Sequence, residues 1–207
     1  MNTLIIDTTS AKQYCILLKE EEVDSVIEQG LQSVNLNLNI KTLLERNNLA
    51  LSDISVFAVN VGTGSFTGIR IGIASIKGFL TALPKSRAIA INTLQVVAYT
   101  KQGDSVVLQD AGRNLFYCAT YNRNIEIVAP HIIEEKEKIA LLEKGGILYD
   151  LASDYTKQIC QCVKDKIALN DFCDQLQPIY LRRPQAIEEL NTQKLQELTK
   201  NDTTINQ

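Results

Sequence analysis

Val61-Gly62-Thr63-Gly64-Ser65-Phe66-Thr67-Gly68-Ile69-Arg70-Ile71-Gly72 holds four of the chain's ten glycines within eleven positions. The apolar run Ile54 to Val61 before it reads as a buried strand, and helical spacing follows it to about Leu83. A Gly-rich turn between strand and helix suits a phosphate, because free amide N–H groups and the positive helix end converge there. The spacing excludes the two familiar versions. A dinucleotide fingerprint needs a glycine at the sixth position, which is Thr67 counted from Gly62. A P-loop needs Gly-Lys-Ser/Thr, and here Gly68 precedes Ile69-Arg70.

Ser65 is suited to cap the helix with its hydroxyl. Beyond it, Gly68, Gly72, Ser75 and Phe79 recur at helical spacing, so one face is nearly bare for two turns. Ile69, Ile73, Ile76, Leu80 and Leu83 form a second, wholly apolar face. Gly68, Gly72 and Gly78 each cost roughly 1 kcal/mol of helix propensity against Ala, so this helix depends on close contact with something else. Two readings stay open: packing within the chain, or a subunit interface. On the second, Gly72→Leu weakens association and leaves the fold intact.

The composition is that of an ordinary globular chain, 45% hydrophobic and 22% charged, with a net charge of −3. Without a basic stripe the chain is poorly suited to hold nucleic acid by itself, since neutralising phosphates dominates that affinity. Five cysteines (Cys15, Cys118, Cys160, Cys162, Cys173) include no Cys-x-x-Cys pair, so neither a zinc ribbon nor a disulfide framework is expected. No apolar run is long enough to span a bilayer, and no signal peptide precedes the first strand. The expectation is a soluble, cytoplasmic protein. His131, after Pro130 in an expected loop, is the only histidine, so a His-x-x-x-His metal site cannot be built. No Gly-x-Ser-x-Gly elbow accompanies it, which argues against a Ser-His-Asp hydrolase.

Along the chain, strands are expected at Thr3–Asp7, Gln13–Lys19 and Glu22–Glu28. A helix follows at about Ser33–Arg46, its face marked by Leu36, Ile40, Leu43 and Leu44 although Val34 to Ile40 also alternates as a strand would. After the glycine helix come a strand at Arg87–Ile91 and a short helix, Leu94–Thr100, capped by Asn92 or Thr93. Strands first and crossover helices later give an α/β fold with a mixed sheet. The second half reads as a smaller α/β unit. It has strands at Ser105–Gln109, Leu115–Tyr121, Ile125–Val128 and Ile147–Tyr149, a mixed-charge helix Glu134–Lys144, and a helix capped by Ser153 that runs to about Ala168. A last amphipathic helix, Ala186–Leu198, leads into a polar tail.

Several segments in order resemble the TsaB (YeaZ) family of bacterial tRNA threonylcarbamoyladenosine biosynthesis proteins. They are Ile5-Ile6-Asp7-Thr8-Thr9, the stretch from Gly62 to Gly72 with Lys77-Gly78, Asn92-Thr93-Leu94, Asp110-Ala111-x-Arg113, and Pro178-x-Tyr180-Leu181-Arg182. Together they cover roughly residues 3 to 184. The resemblance implies the fold of actin-like ATPases and sugar kinases: two ribonuclease-H-like halves with mixed sheets, the second reduced. Boundaries are then expected at 1–100, 101–184 and 185–207. It also implies a non-catalytic partner of the catalytic subunit TsaD, with TsaE as a further subunit and tRNA contacted only indirectly.

This chain departs from the family pattern at Thr63, which replaces a proline, at Gln32-Ser33-Val34, where the family has His-Ser-Glu, and near Leu115, which replaces an acid. Catalytic relatives of the superfamily hold ATP on Gly-containing turns; here Asp7-Thr8-Thr9-Ser10 has the acid without the glycine. The expectation is therefore no catalytic residue and no metal ligand. No cofactor is expected on this chain alone, and a nucleotide only at a junction with TsaD. A nucleotide-binding phosphotransferase or ATPase of the same fold is the alternative. The expected TsaD-binding face combines Leu36, Ile40 and Leu43 with Ser65, Phe66, Thr67, Gly68, Arg70, Ile71, Gly72 and Ser75, and a homodimer through the same helices is expected where TsaD is absent.

Overall fold

The computed structural model describes residues 1–20, 22–30, 32–123 and 125–182. The helix expected at Ala186–Leu198 lies outside the described residues. β1 (Asn2–Asp7), β2 (Lys12–Lys19) and β3 (Glu22–Gln29) run antiparallel, and β4 (Val56–Asn60) and β5 (Arg87–Ile91) continue the sheet in parallel, giving the order β3-β2-β1-β4-β5.

Both faces of this sheet are covered, so β1 and β4 are buried at almost every position. Successive side chains point to opposite faces. Leu4, Ile6, Phe57 and Val59 pack with α1 (Gln32–Arg46) and α2 (Phe66–Ala82). Ile5, Ala58, Ile89 and Ile91 pack with α3 (Thr93–Ala98), α5 (Thr156–Ala168) and the second sheet. The alternation in 34–40 therefore belongs to a helix. Leu36, Ile40 and Leu43 meet the core with helical periodicity.

The second sheet is built from β6 (Asp104–Gly112), β7 (Leu115–Asn122) and β8 (Ile125–Glu134), an antiparallel meander. After α4 (Glu135–Glu143), the short β9 (Ile147–Leu148) joins parallel to β6, giving the order β8-β7-β6-β9. The architecture is α/β with two mixed sheets in ribonuclease-H-like halves, the second smaller. β8 runs six residues past the expected Val128, so His131 lies in the ladder opposite Cys118 and not in a loop. Ser153 does not cap α5 either. Its hydroxyl donates to Asp150 Oδ2 at 2.7 Å, while Asp154 accepts from the Thr156 amide at 2.9 Å.

After α5 the chain returns to the first sheet. Cys173 bridges to Ala88, and the Ile179 amide donates to the Val61 carbonyl at 2.8 Å. This return carries residues 176–182 across the glycine turn.

Candidate functional site

The glycine turn is shaped by two close approaches. Gly64 has φ +149°, and a Cβ there would lie 2.3 Å from the Thr9 carbonyl oxygen, so only glycine fits. The Ser65 amide donates to that same Thr9 carbonyl at 2.7 Å, and the Ser65 hydroxyl accepts from the Gly68 amide at 3.2 Å, capping α2 as its sequence indicates. Thr8 Oγ1 donates to the Gly68 carbonyl at 2.6 Å, clamping the first turn of the helix onto the end of β1.

The bare face of α2 therefore looks inward. A Cβ on Gly72 would stand 2.8 Å from Thr8 Oγ1 and 3.1 Å from Val59 Cγ2. Gly68 and Gly72 are buried, as are Leu36, Ile40 and Leu43 on α1. These five of the residues expected on a partner face are core residues. The glycines let a backbone approach β1 and β4, and the α1 stripe covers the sheet beside them. Gly72→Leu is accordingly a core perturbation and no probe of association. Of the other expected residues, Ser65, Thr67 and Arg70 are exposed and Phe66, Ile71 and Ser75 half-buried. The Ser75 hydroxyl donates to the Ile71 carbonyl at 2.9 Å, within its own helix.

A different strip of α2 faces outward. Thr67, Ile71, Ala74 and Gly78 recur at helical spacing, and a Cβ on Gly78 would meet nothing within 4 Å. On the outward face of α1, Leu38 is 61% exposed. Leu38, Ala74 and Gly78 were not singled out from sequence, yet Leu38 carried a signal. It lies two residues from both Leu36 and Ile40, about half a helical turn away, so it cannot be inside when they are. Where α1 meets the end of α2, an apolar groove of about 370 Å³ opens, walled by Leu44, Leu49, Leu51 and Phe79 with Lys41 at its rim.

Arg70 is held rather than loose. Its guanidinium carbon sits 3.8 Å from the centre of the Phe66 ring, and Nε donates to the Tyr180 hydroxyl at 3.2 Å. Tyr180 in turn lies over Phe66, with ring centres 4.6 Å apart. Two residues further along the same return segment, Arg182 donates to the carbonyls of Ala111 and Gly112 at the tip of the β6–β7 hairpin. The Pro178-x-Tyr180-Leu181-Arg182 motif thus ties α2 to the second sheet and holds the exposed Arg70 through its Nε. Such a preset fork suits a carboxylate.

A buried polar hub lies behind the turn, at the carboxyl edge of the first sheet. Asp7 Oδ1 accepts from the Thr9 amide at 2.8 Å and from Thr9 Oγ1 at 2.7 Å, and Oδ2 accepts from Asn60 Nδ2 at 2.7 Å. Asn60 also donates to Thr93 Oγ1 at 3.1 Å, Thr93 donates to the Thr63 carbonyl at 2.7 Å, and Thr63 Oγ1 donates to Gln109 Oε1 on the second sheet. Burial pushes the Asp7 carboxyl above its ordinary range, opposed by the bonds from Thr9 and Asn60. The polar side chains at this edge of the sheet are engaged with one another. Gly62 is closed off as well, since a Cβ there would lie 2.8 Å from the Ile179 carbonyl oxygen. Among the described residues, no group of three or more His, Cys, Asp or Glu side chains is placed to hold a metal ion. No helix among them is long and apolar enough to cross a membrane.

Residues 30–178 match the sequence model of a family described as TsaD, tRNA N6-adenosine threonylcarbamoyltransferase. The tRNA threonylcarbamoyladenosine biosynthesis protein TsaB of Escherichia coli is 26% identical, over 73% of this chain and 80% of its own. An uncharacterized protein of Mycoplasma genitalium is also 26% identical, over 82% of this chain and 89% of its own. Among solved structures, YeaZ from Pseudomonas aeruginosa superposes with a TM-score of 0.73 at 21% identity, covering 87% of this chain and 99% of its own, a likeness of fold.

Proposed function

We propose, for a chain that belongs to the TsaD family and within it to the TsaB/YeaZ type of actin-like ATPase fold, that it is a non-catalytic subunit in the synthesis of tRNA threonylcarbamoyladenosine. Its role is to bind and support the catalytic subunit TsaD. The observation that carries this reading is the outward strip of α1 and α2. On α2, Ile71, Ala74 and Gly78 offer an apolar, side-chain-poor surface on which another helix can lie closely, with Arg70 held next to Ile71, and on α1 Leu38 stands exposed. A lone histidine on β8 leaves the chain without the His-x-x-x-His pair of the catalytic relatives, which supports the non-catalytic reading. In the same proposal, a nucleotide binds at the junction with TsaD, and TsaE joins the assembled pair. Where TsaD is absent, the strip closes as a homodimer.

The test is titration of TsaD with Leu38→Asp and Ala74→Arg variants. Both positions are exposed, so surface substitutions there leave stability within about 0.5 kcal/mol. Each is expected to weaken association at least about tenfold, equivalent to about 1.4 kcal/mol. Unchanged affinity in both variants would remove this face from consideration. Measurable ATP turnover by the purified chain alone would favour the phosphotransferase reading instead.

A further inference from the structure

Far from the α1–α2 strip, on the side of the first sheet covered by α3 and α5, a polar pocket of about 390 Å³ opens. It lies where α3 ends, β6 begins, β7 ends and α5 passes. Tyr99, Lys101, Gln102, Arg123, Gln161 and Asp165 line it. We propose that this pocket seats one phosphate group of the tRNA, giving this subunit a direct contact with the substrate. The inference rests on the proposed role in tRNA modification.

Charge and wiring carry it. Among the described residues, neither Lys101 nor Arg123 has a carboxylate within ion-pair distance, although five other cation–carboxylate pairs form among those residues. Asp165, the single acid in the wall among the described residues, is already engaged. Its Oδ2 accepts from the Tyr99 hydroxyl at 3.0 Å and its Oδ1 from Gln161 Nε2 at 2.6 Å. Asp165 therefore fixes the two neutral walls and leaves the cations unpaired. Lys101, the Arg123 guanidinium and the Gln102 amide supply only donors and positive charge toward the cavity, apart from one amide oxygen. That donor set is complementary to a phosphate oxyanion. Two cations are too few to hold a polynucleotide unaided, in keeping with the net charge of −3, but they suffice to position a strand that TsaD holds elsewhere. Because the pocket and the α1–α2 strip lie on opposite faces of the first sheet, both can be occupied together.

A free inorganic phosphate would meet the same chemistry, and the experiment separates the two. Substrate tRNA is titrated onto the complex reconstituted with TsaD, across a salt series, for the wild type, Lys101→Gln/Arg123→Gln, and the exposed Lys85→Gln as a control. TsaD association is measured on the same samples. The double variant should keep its TsaD affinity and bind tRNA about tenfold more weakly, with a salt slope shallower by about one to two. Lys85→Gln should match the wild type. Wild-type tRNA affinity and slope in the double variant overturn the inference. So does protection of Lys101 from acetylation by millimolar inorganic phosphate but not by tRNA, which would make the pocket a free-phosphate seat. Failure of the wild-type chain to associate with TsaD would instead bring down the functional reading, and this inference with it.

Discussion

Gly72→Ala sets helix propensity against core packing, and the structure decides the sign. Propensity alone favours alanine by roughly 1 kcal/mol in a helix interior. The added methyl would stand 2.8 Å from Thr8 Oγ1 and 3.1 Å from Val59 Cγ2, both inside van der Waals contact. Overpacking of a closed core costs about 1–3 kcal/mol. Thr8 cannot turn away freely, because its hydroxyl holds the Gly68 carbonyl at 2.6 Å, a bond contributing about 1 kcal/mol. The net expectation is destabilisation by about 1–3 kcal/mol, which lowers Tm by about 2–4 °C per kcal/mol in a chain of this size. Gly78→Ala is the internal control, since its methyl meets nothing within 4 Å and should return about 1 kcal/mol of propensity as added stability. Urea denaturation of both variants, with m-values compared to confirm two-state behaviour, measures the pair. A Gly72→Ala variant as stable as the parent, or more so, would refute the inward placement of the glycine face.

Asp7 should make stability depend on pH. Its carboxyl is raised in the folded state by burial, so its contribution is fully present below the ordinary value of 3.8 and is lost as pH rises through the folded value. The stability of the parent relative to Asp7→Asn should therefore fall as pH increases from the acid side; a flat difference would count against burial as the dominant cause. Burial pushes the thiols of Cys118 and Cys160 up to about 11 and those of Cys15 and Cys162 up to about 12, leaving them protonated near neutrality. Ellman's reagent should titrate at most Cys173 quickly in the folded protein and all five thiols in denaturant; fast reaction of a second thiol would contradict the packing. Arg70→Ala should slow tRNA modification only by weakening assembly, so excess of this subunit should restore the rate. If the saturated complex stayed about a hundredfold slower, roughly 2.7 kcal/mol in the barrier, Arg70 would be contributing to the chemistry itself.

Local patterns that are strong on their own were legible in the sequence. The buried strands, the Ser65 cap and the β–α–β passage through the glycine turn follow from periodicity and capping chemistry. These depend on neighbours a few residues away, so a linear reading reaches them. The sequence also settled what the chain cannot be. One histidine makes a two-histidine metal site impossible, and the glycine spacing fails both phosphate-binding registers.

Direction was a matter for the tertiary structure. A bare helix face fits a partner's backbone or the chain's own strands equally well, and only the position of Thr8 and Val59 beneath Gly72 shows that it faces inward. The outward strip follows from that choice, because a helix seated on Gly68 and Gly72 must turn Ala74 and Gly78 to the surface. Long-range wiring was equally out of reach. Asp7 and Asn60 are fifty-three residues apart, Arg70 and Tyr180 a hundred and ten. No spacing rule connects them. Parallel pairing of β1 with β4 sets Asp7 beside Asn60, and the return of the chain after α5 across the glycine turn brings Tyr180 to Arg70.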